Sequence, residues 1–97
     1  MTISTVLSAL SEPTRLGAIR IIWDGGEHCV CELMVRLDAS QSRMSRHMSA
    51  LKNAGLVIDR RDAQWVRYRR NPDLTSEVAR VVDSVVAALD EERKVTV

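Results

Sequence analysis

Ser40-Gln-Ser-Arg-Met-Ser-Arg-His-Met-Ser-Ala-Leu-Lys-Asn-Ala-Gly-Leu56 is the stretch on which the reading of this 97-residue chain turns. Ser40 suits a helix N-cap, Gly55 suits the position just past a C-cap, and Met44, Met48 and Leu51 recur between them at helical spacing. The spacing predicts one helix of about fourteen residues. With Ala54, those three residues make a narrow apolar stripe, and Gln41, Ser42, Arg43, Ser45, Arg46, Ser49 and Lys52 fill the rest of the circumference. No carboxylate stands on that helix. An ordinary surface helix mixes Glu with Lys for i,i+4 pairing, so an acid-free one implies a partner that supplies the negative charge. Double-stranded DNA fits best: Arg and Gln near a helix N-terminus suit base edges in a major groove, while Ser, Lys and the positive helix end suit phosphates. A solvated helix that merely lacks acids is the plainer alternative.

The distribution of charge supports the DNA reading. The net charge of +1 divides into −2 over residues 1–39, +6 over residues 40–72 and −3 over residues 73–97. One basic surface between acidic flanks is the footprint of a protein that meets a polyanion on one side. At 97 residues and 45% apolar content, residues 1–97 are expected to form a single domain, too small for two cores. No apolar run approaches the ~20 residues that span a bilayer. No signal peptide is visible either, so a cytoplasmic protein with reduced Cys29 and Cys31 and no membrane partner is expected.

Taken in order, Ile3, Val6, Leu7 and Leu10 mark a short amphipathic helix. Ser11-Glu-Pro-Thr then opens a second helix, which carries Leu16, Ile19, Ile22 and Trp23 and ends at Gly25-Gly26. Glu27 to Leu37 reads as a third helix with Val30, Leu33, Met34 and Leu37 buried, and Asp38-Ala39-Ser40 turns into the basic helix. Two short helices joined by a three-residue turn form a helix-turn-helix pattern. Beyond Gly55 the period becomes alternating: Leu56, Ile58, Val66 and Tyr68 point one way, and Arg61, Arg67 and Arg69 the other. This is a two-stranded β hairpin with Arg60, Arg61 and Gln64 crowding its tip, the wing of a winged helix-turn-helix. Val78, Val82, Val85 and Leu89 make a wide stripe on a last helix. That stripe suits either a partner or the interior of its own monomer. Glu91 to Val97 reads as a frayed tail. The fold class is α+β, mostly α.

Leu10-Ser-Glu-Pro-Thr-Arg-Leu16, Cys29-Val-Cys-Glu-Leu33, the Ser40 to Leu51 helix, Ala54-Gly-Leu56 and Trp65-Val-Arg-Tyr68 together resemble the ArsR/SmtB family of metal-responsive bacterial repressors, and within it the arsenic-responsive branch. The resemblance implies a homodimer joined through the first and last helices, with Ile3 and Leu7 on one and Val78, Val82, Val85 and Leu89 on the other. It implies repression at an operator of inverted-repeat symmetry and release by trivalent arsenic or antimony, arsenite or antimonite acting as inducer at Cys29 and Cys31. Carried over by position, Gln41, Ser45 and Arg46 would read bases, Ser42 and Arg43 would hold backbone, and Arg60 to Gln64 would form the wing tip. His47 is assigned to packing or structural hydrogen bonding. The chain departs from the arsenic-branch pattern at Met34, where a third Cys often stands, and it lacks the His-and-carboxylate zinc site of the last helix.

Thiolates are soft donors that select soft thiophilic ions, and two of them without a zinc-ribbon partner pair suggest a sensor; two ordinary core residues are the bland alternative. On a regular α-helix, positions i and i+2 lie about 200° apart, so an ion held by both sulfurs should unwind the helix start. The same geometry disfavours a disulfide between them. A thiol redox switch and a protein-interaction module are the rival functions. No catalytic constellation, Gly-rich phosphate loop or organic-cofactor motif is visible, so an enzyme is not expected.

Overall fold

The computed structural model describes residues 2–95, in the order α1 (Ile3–Leu10), α2 (Pro13–Ile22), β1 (His28–Cys29), α3 (Val30–Leu37), α4 (Gln41–Asn53), β2 (Val57–Asp62), β3 (Trp65–Arg70) and α5 (Ser76–Val95). The mostly helical winged helix-turn-helix is present, with one addition. The β2–β3 hairpin carries a third antiparallel strand, β1, and the sheet order is β1-β3-β2. Two residues are too few to show a period, which is why Glu27 to Cys29 read as helix. Cys29 is instead extended (φ −67°, ψ 144°) and caps α3 from outside.

Local chemistry sets the helix boundaries. The side chains of Thr2, Glu12 and Ser40 accept hydrogen bonds from the backbone N–H three residues on, each satisfying a donor that a helix start leaves open. At the end of α4, Gly55 takes φ 83°, its N–H donates to the Lys52 carbonyl (2.9 Å), and the Leu56 N–H donates to the Leu51 carbonyl (3.0 Å). This paired closure needs the left-handed residue that Gly supplies most cheaply. Gly17 answers a different demand: a Cβ there would stand 2.8 Å from Leu37 Cδ2, so the glycine lets α2 approach α3.

The core lies where the helices meet the sheet. Val6, Ile19, Ile22, Leu33, Met44, Met48, Leu51 and Leu56 are wholly buried. Each large aliphatic side chain there contributes about 1.5–3 kcal/mol of burial. Two expectations change. The two-residue turn pairs Asp62 with Trp65, so Ile58 lies opposite Arg69 and Arg61 opposite Val66. Opposite residues share a face, which puts Ile58 with Arg67 and Arg69, and Arg61 with Val66 and Tyr68. The swap arises because both Leu56 and Val57 are buried where the strand leaves the helix. Second, α5 remains helical to Val95, so the expected frayed tail is helix from Glu91 onward; Thr96 and Val97 lie outside the described residues.

The valine stripe of α5 also resolves differently. Val82 is fully covered by its own chain, and Val78 and Val85 pack partly against the same core. Trp23 Nε1 donates to Asp83 (2.7 Å) and Arg20 approaches Asp90 (3.8 Å), fastening α5 along α2. Val82 therefore has no surface to offer a partner. Val78, Val85 and Leu89 keep partly exposed edges, and on α1 Ile3 and Leu7 are 51% and 50% exposed.

Candidate nucleic-acid interface and thiol pair

Burial of Met44, Met48 and Leu51 determines which arc of α4 faces outward. Gln41, Ser42, Arg43, Arg46 and Lys52 lie on that exposed arc, and Ser45 is half-buried at its edge. The turn before α4 holds its angle through Asp38 in the left-handed region (φ 51°) and the Ala39 N–H bond to the Met34 carbonyl (3.1 Å). Arg43 and Arg46 border a cleft with Glu12, Arg15 and His47. There Arg15 donates to the Ala9 carbonyl (2.7 Å) and lies 3.3 Å from His47 Nδ1, and Glu12 lies 3.6 Å from the same nitrogen. His47 thus braces α4 against the α1–α2 junction, the structural role expected of it.

On the wing, Arg60, Arg61 and Gln64 are exposed around a turn whose Ala63 has φ 56°. The cations there are of two kinds. Arg60 is held by Glu27 through two hydrogen bonds, Nε at 2.9 Å and Nη2 at 2.7 Å, while Lys52 pairs with Asp59 (3.0 Å) and Arg67 with Asp62 (2.8 Å). Among the described residues, Arg43, Arg46, Arg61 and Arg69 meet no carboxylate at salt-bridge distance. The Arg60 guanidinium holds the Glu27 carboxyl below the usual carboxylate range. Sequence reasoning did not find this pair, because it spans 33 residues and forms only once β1 is laid on β3.

Cys29 and Cys31 are joined by a disulfide, with Cα atoms 5.2 Å apart, a separation a disulfide ordinarily spans. Cys29 Sγ also accepts a hydrogen bond from the Cys31 N–H (3.3 Å). The sulfurs meet because Cys29 precedes the helix. This removes the reason for expecting α3 to unwind around a shared ion, and equally the reason for disfavouring the disulfide. Cys29 lies opposite Arg67, which lies opposite Arg60, so the sulfur and two arginines form one row across the sheet. Met34 is half-buried against the core, and among the described residues no group of three His, Cys, Asp or Glu is placed to hold a metal. Once reduced, the donor set suits a soft ion bound by two thiolates, with its remaining position filled from outside the chain.

Next to the thiols, His28 is buried with both ring nitrogens against carboxylates: Nε2 lies 2.9 Å from Asp24, and Nδ1 lies 2.9 and 3.1 Å from the two Glu32 oxygens. Burial opposes a charge on the ring. The hydrogen bonds to Asp24 and Glu32 outweigh it and raise the His28 pKa above the ordinary histidine value. Arg36 closes the cluster on Glu32 at 3.0 Å. The i,i+4 spacing of Asp24, His28 and Glu32 is visible in the sequence, but the Gly-Gly break between Asp24 and His28 hides it as one cluster.

Comparison with known proteins places this arrangement. The profile of the ArsR family of bacterial regulatory proteins matches residues 12–59. The chain is 45% identical over 83 residues to the arsenic resistance transcriptional regulator ArsR2 of Pseudomonas putida, covering 86% of this chain and 72% of that protein. It is 40% identical over 74 residues to the arsenical resistance operon repressor of Escherichia coli, covering 76% of this chain and 63% of the relative. Among solved structures, the homodimeric winged helix-turn-helix DNA-binding domain of Mb0332 from Mycobacterium bovis, a possible ArsR-family regulator, superposes with a TM-score of 0.74 at 28% identity, covering 92% of this chain and 79% of that one. Sequence profile, relatives and fold agree, and the chain belongs to the ArsR family of bacterial regulatory proteins.

Proposed function

We propose that the protein is a cytoplasmic, homodimeric repressor that binds an inverted-repeat operator and leaves it when trivalent arsenic or antimony bridges the reduced Cys29 and Cys31. One observation carries the reading: the thiol pair lies between the start of α3, which turns directly into the acid-free face of α4, and the sheet that bears the wing. A ligand there adjoins α3, which packs against α4, and β3 of the wing sheet. Gln41, Ser45 and Arg46 are assigned to base edges, and Ser42, Arg43, Lys52, Arg60, Arg61 and Gln64 to the backbone. The relatives named for arsenic resistance support the choice of inducer. The apolar α1 residues Ile3 and Leu7, with the edges of Val78, Val85 and Leu89, are assigned to the dimer.

The test is operator binding by reduced protein on an inverted-repeat fragment, titrated separately with arsenite, antimonite, zinc, cadmium and peroxide. Release by arsenite or antimonite is the expected result. A second reading, a thiol redox switch, draws support from the Cys29–Cys31 disulfide and predicts release by peroxide with no response to arsenite. Absence of DNA binding under every condition contradicts both.

A further inference from the structure

Arg60 is the wing-tip cation nearest the thiol pair along the sheet, and it is not free to meet DNA as it stands. Both its Nε and Nη2 are committed to the Glu27 carboxylate, a bidentate geometry that a phosphate would otherwise take. Glu27 is separated from Cys29 only by His28, and His28 and Cys29 make up the whole of β1. The position of Glu27 therefore depends on the two residue pairs that β1 makes with β3, one of which is Cys29 with Arg67. Joined sulfurs and a clamped Arg60 occur in the same structure.

We propose that Glu27 is a positioning residue of the operator interface: its carboxylate competes with a DNA phosphate for Arg60, and bridging of Cys29 to Cys31 fixes β1 in the arrangement that holds the clamp closed. With the thiols separate, β1 is freer to shift on β3, Glu27 holds Arg60 less firmly, and a DNA phosphate displaces it more readily, though the two still compete. The coupling to thiol occupancy rests on the inducible-repressor reading above; the competition for Arg60 does not. The sheet edge thus supplies a second route from thiols to DNA, alongside the one through α3 and α4.

The experiment measures operator affinity of reduced full-length protein by fluorescence anisotropy across a salt series, for wild type, Glu27→Gln, Arg60→Ala and the double variant, with and without arsenite. Glu27→Gln is expected to tighten binding and to steepen the salt dependence by about one phosphate contact. In the Arg60→Ala background, Glu27→Gln is expected to change neither quantity, and its arsenite-driven loss of affinity is expected to be smaller than that of wild type. Equal tightening with and without Arg60 would show only a general charge effect and overturn the proposal. So would a Glu27→Gln protein indistinguishable from wild type. If wild type ignores arsenite while the two substitutions remain coupled, the inducer assignment and the thiol coupling fall, and the Glu27–Arg60 competition stands.

Discussion

In the proposed interface, single residues on α4 and the wing divide between reading and holding DNA, and the ion pairs separate them further. Arg46 is exposed on the recognition face and meets no carboxylate among the described residues, so Arg46→Ala is expected to cost about 1–3 kcal/mol on the operator and to relax preference at one base position. Arg61→Ala should weaken operator and random DNA alike and flatten the salt dependence. Anisotropy on both DNAs separates the two; equal losses from both variants would reduce the surface to a non-specific polyanion binder. His28 adds a pH dependence to the fold. Its raised pKa means that its contacts with Asp24 and Glu32 stabilise fully below the unfolded value of about 6.5 and are lost as the pH climbs through the folded value. Urea midpoints should therefore fall between about pH 6 and about pH 8 more steeply in wild type than in His28→Gln. His47 is common to both proteins, so the difference isolates His28. That His28 would be buried with two acids was not legible from the sequence, because strand pairing with Tyr68, not helical period, places it.

At the scale of elements, the helices were legible and the strands only in part. Ser40, the Met44, Met48 and Leu51 stripe and Gly55 mark α4 unambiguously, because each acts within one or two turns. The facing of Ile58 and Arg61 was not legible, since it depends on which residues pair across the turn. That turn stores a cost of its own. Ala63 sits at φ 56°, where an L residue with a Cβ is disfavoured by about 1–2 kcal/mol. Ala63→Gly should stabilise the protein by roughly 1 kcal/mol in urea denaturation while leaving the α4 contacts untouched. Unchanged stability would mean that the tip relaxes away from this conformation. The thiol pair shows the same limit of sequence reasoning. Cys-Val-Cys announced a soft-donor site, but a two-residue strand moved Cys29 off the helix and brought the sulfurs together.

For the whole molecule, the order of helices and the alternating hairpin after the basic helix foretold the winged helix-turn-helix, whereas the two readings of the α5 stripe needed packing to separate them. Val82 is an interior residue, so Val82→Glu is expected to unfold the monomer and says nothing about assembly. Leu7 is half exposed on α1, and Leu7→Glu is the informative change: the protein should keep its helical circular dichroism, sediment as a monomer and bind the operator poorly, because each half-site loses its tethered partner. A folded Leu7→Glu dimer would move the interface elsewhere. The central claim, that DNA binding and ligand sensing are separate parts of one small fold joined at Cys29, has a direct test in the Cys29→Ser/Cys31→Ser double variant. Neither cysteine belongs to the exposed face of α4, and a hydroxyl of similar size removes the soft donor with little loss of packing. The measurement is anisotropy of labelled operator against arsenite, for reduced wild type and the double variant. The account predicts equal affinity without arsenite, release of wild type and no release of the variant. Release of the double variant by arsenite would contradict it.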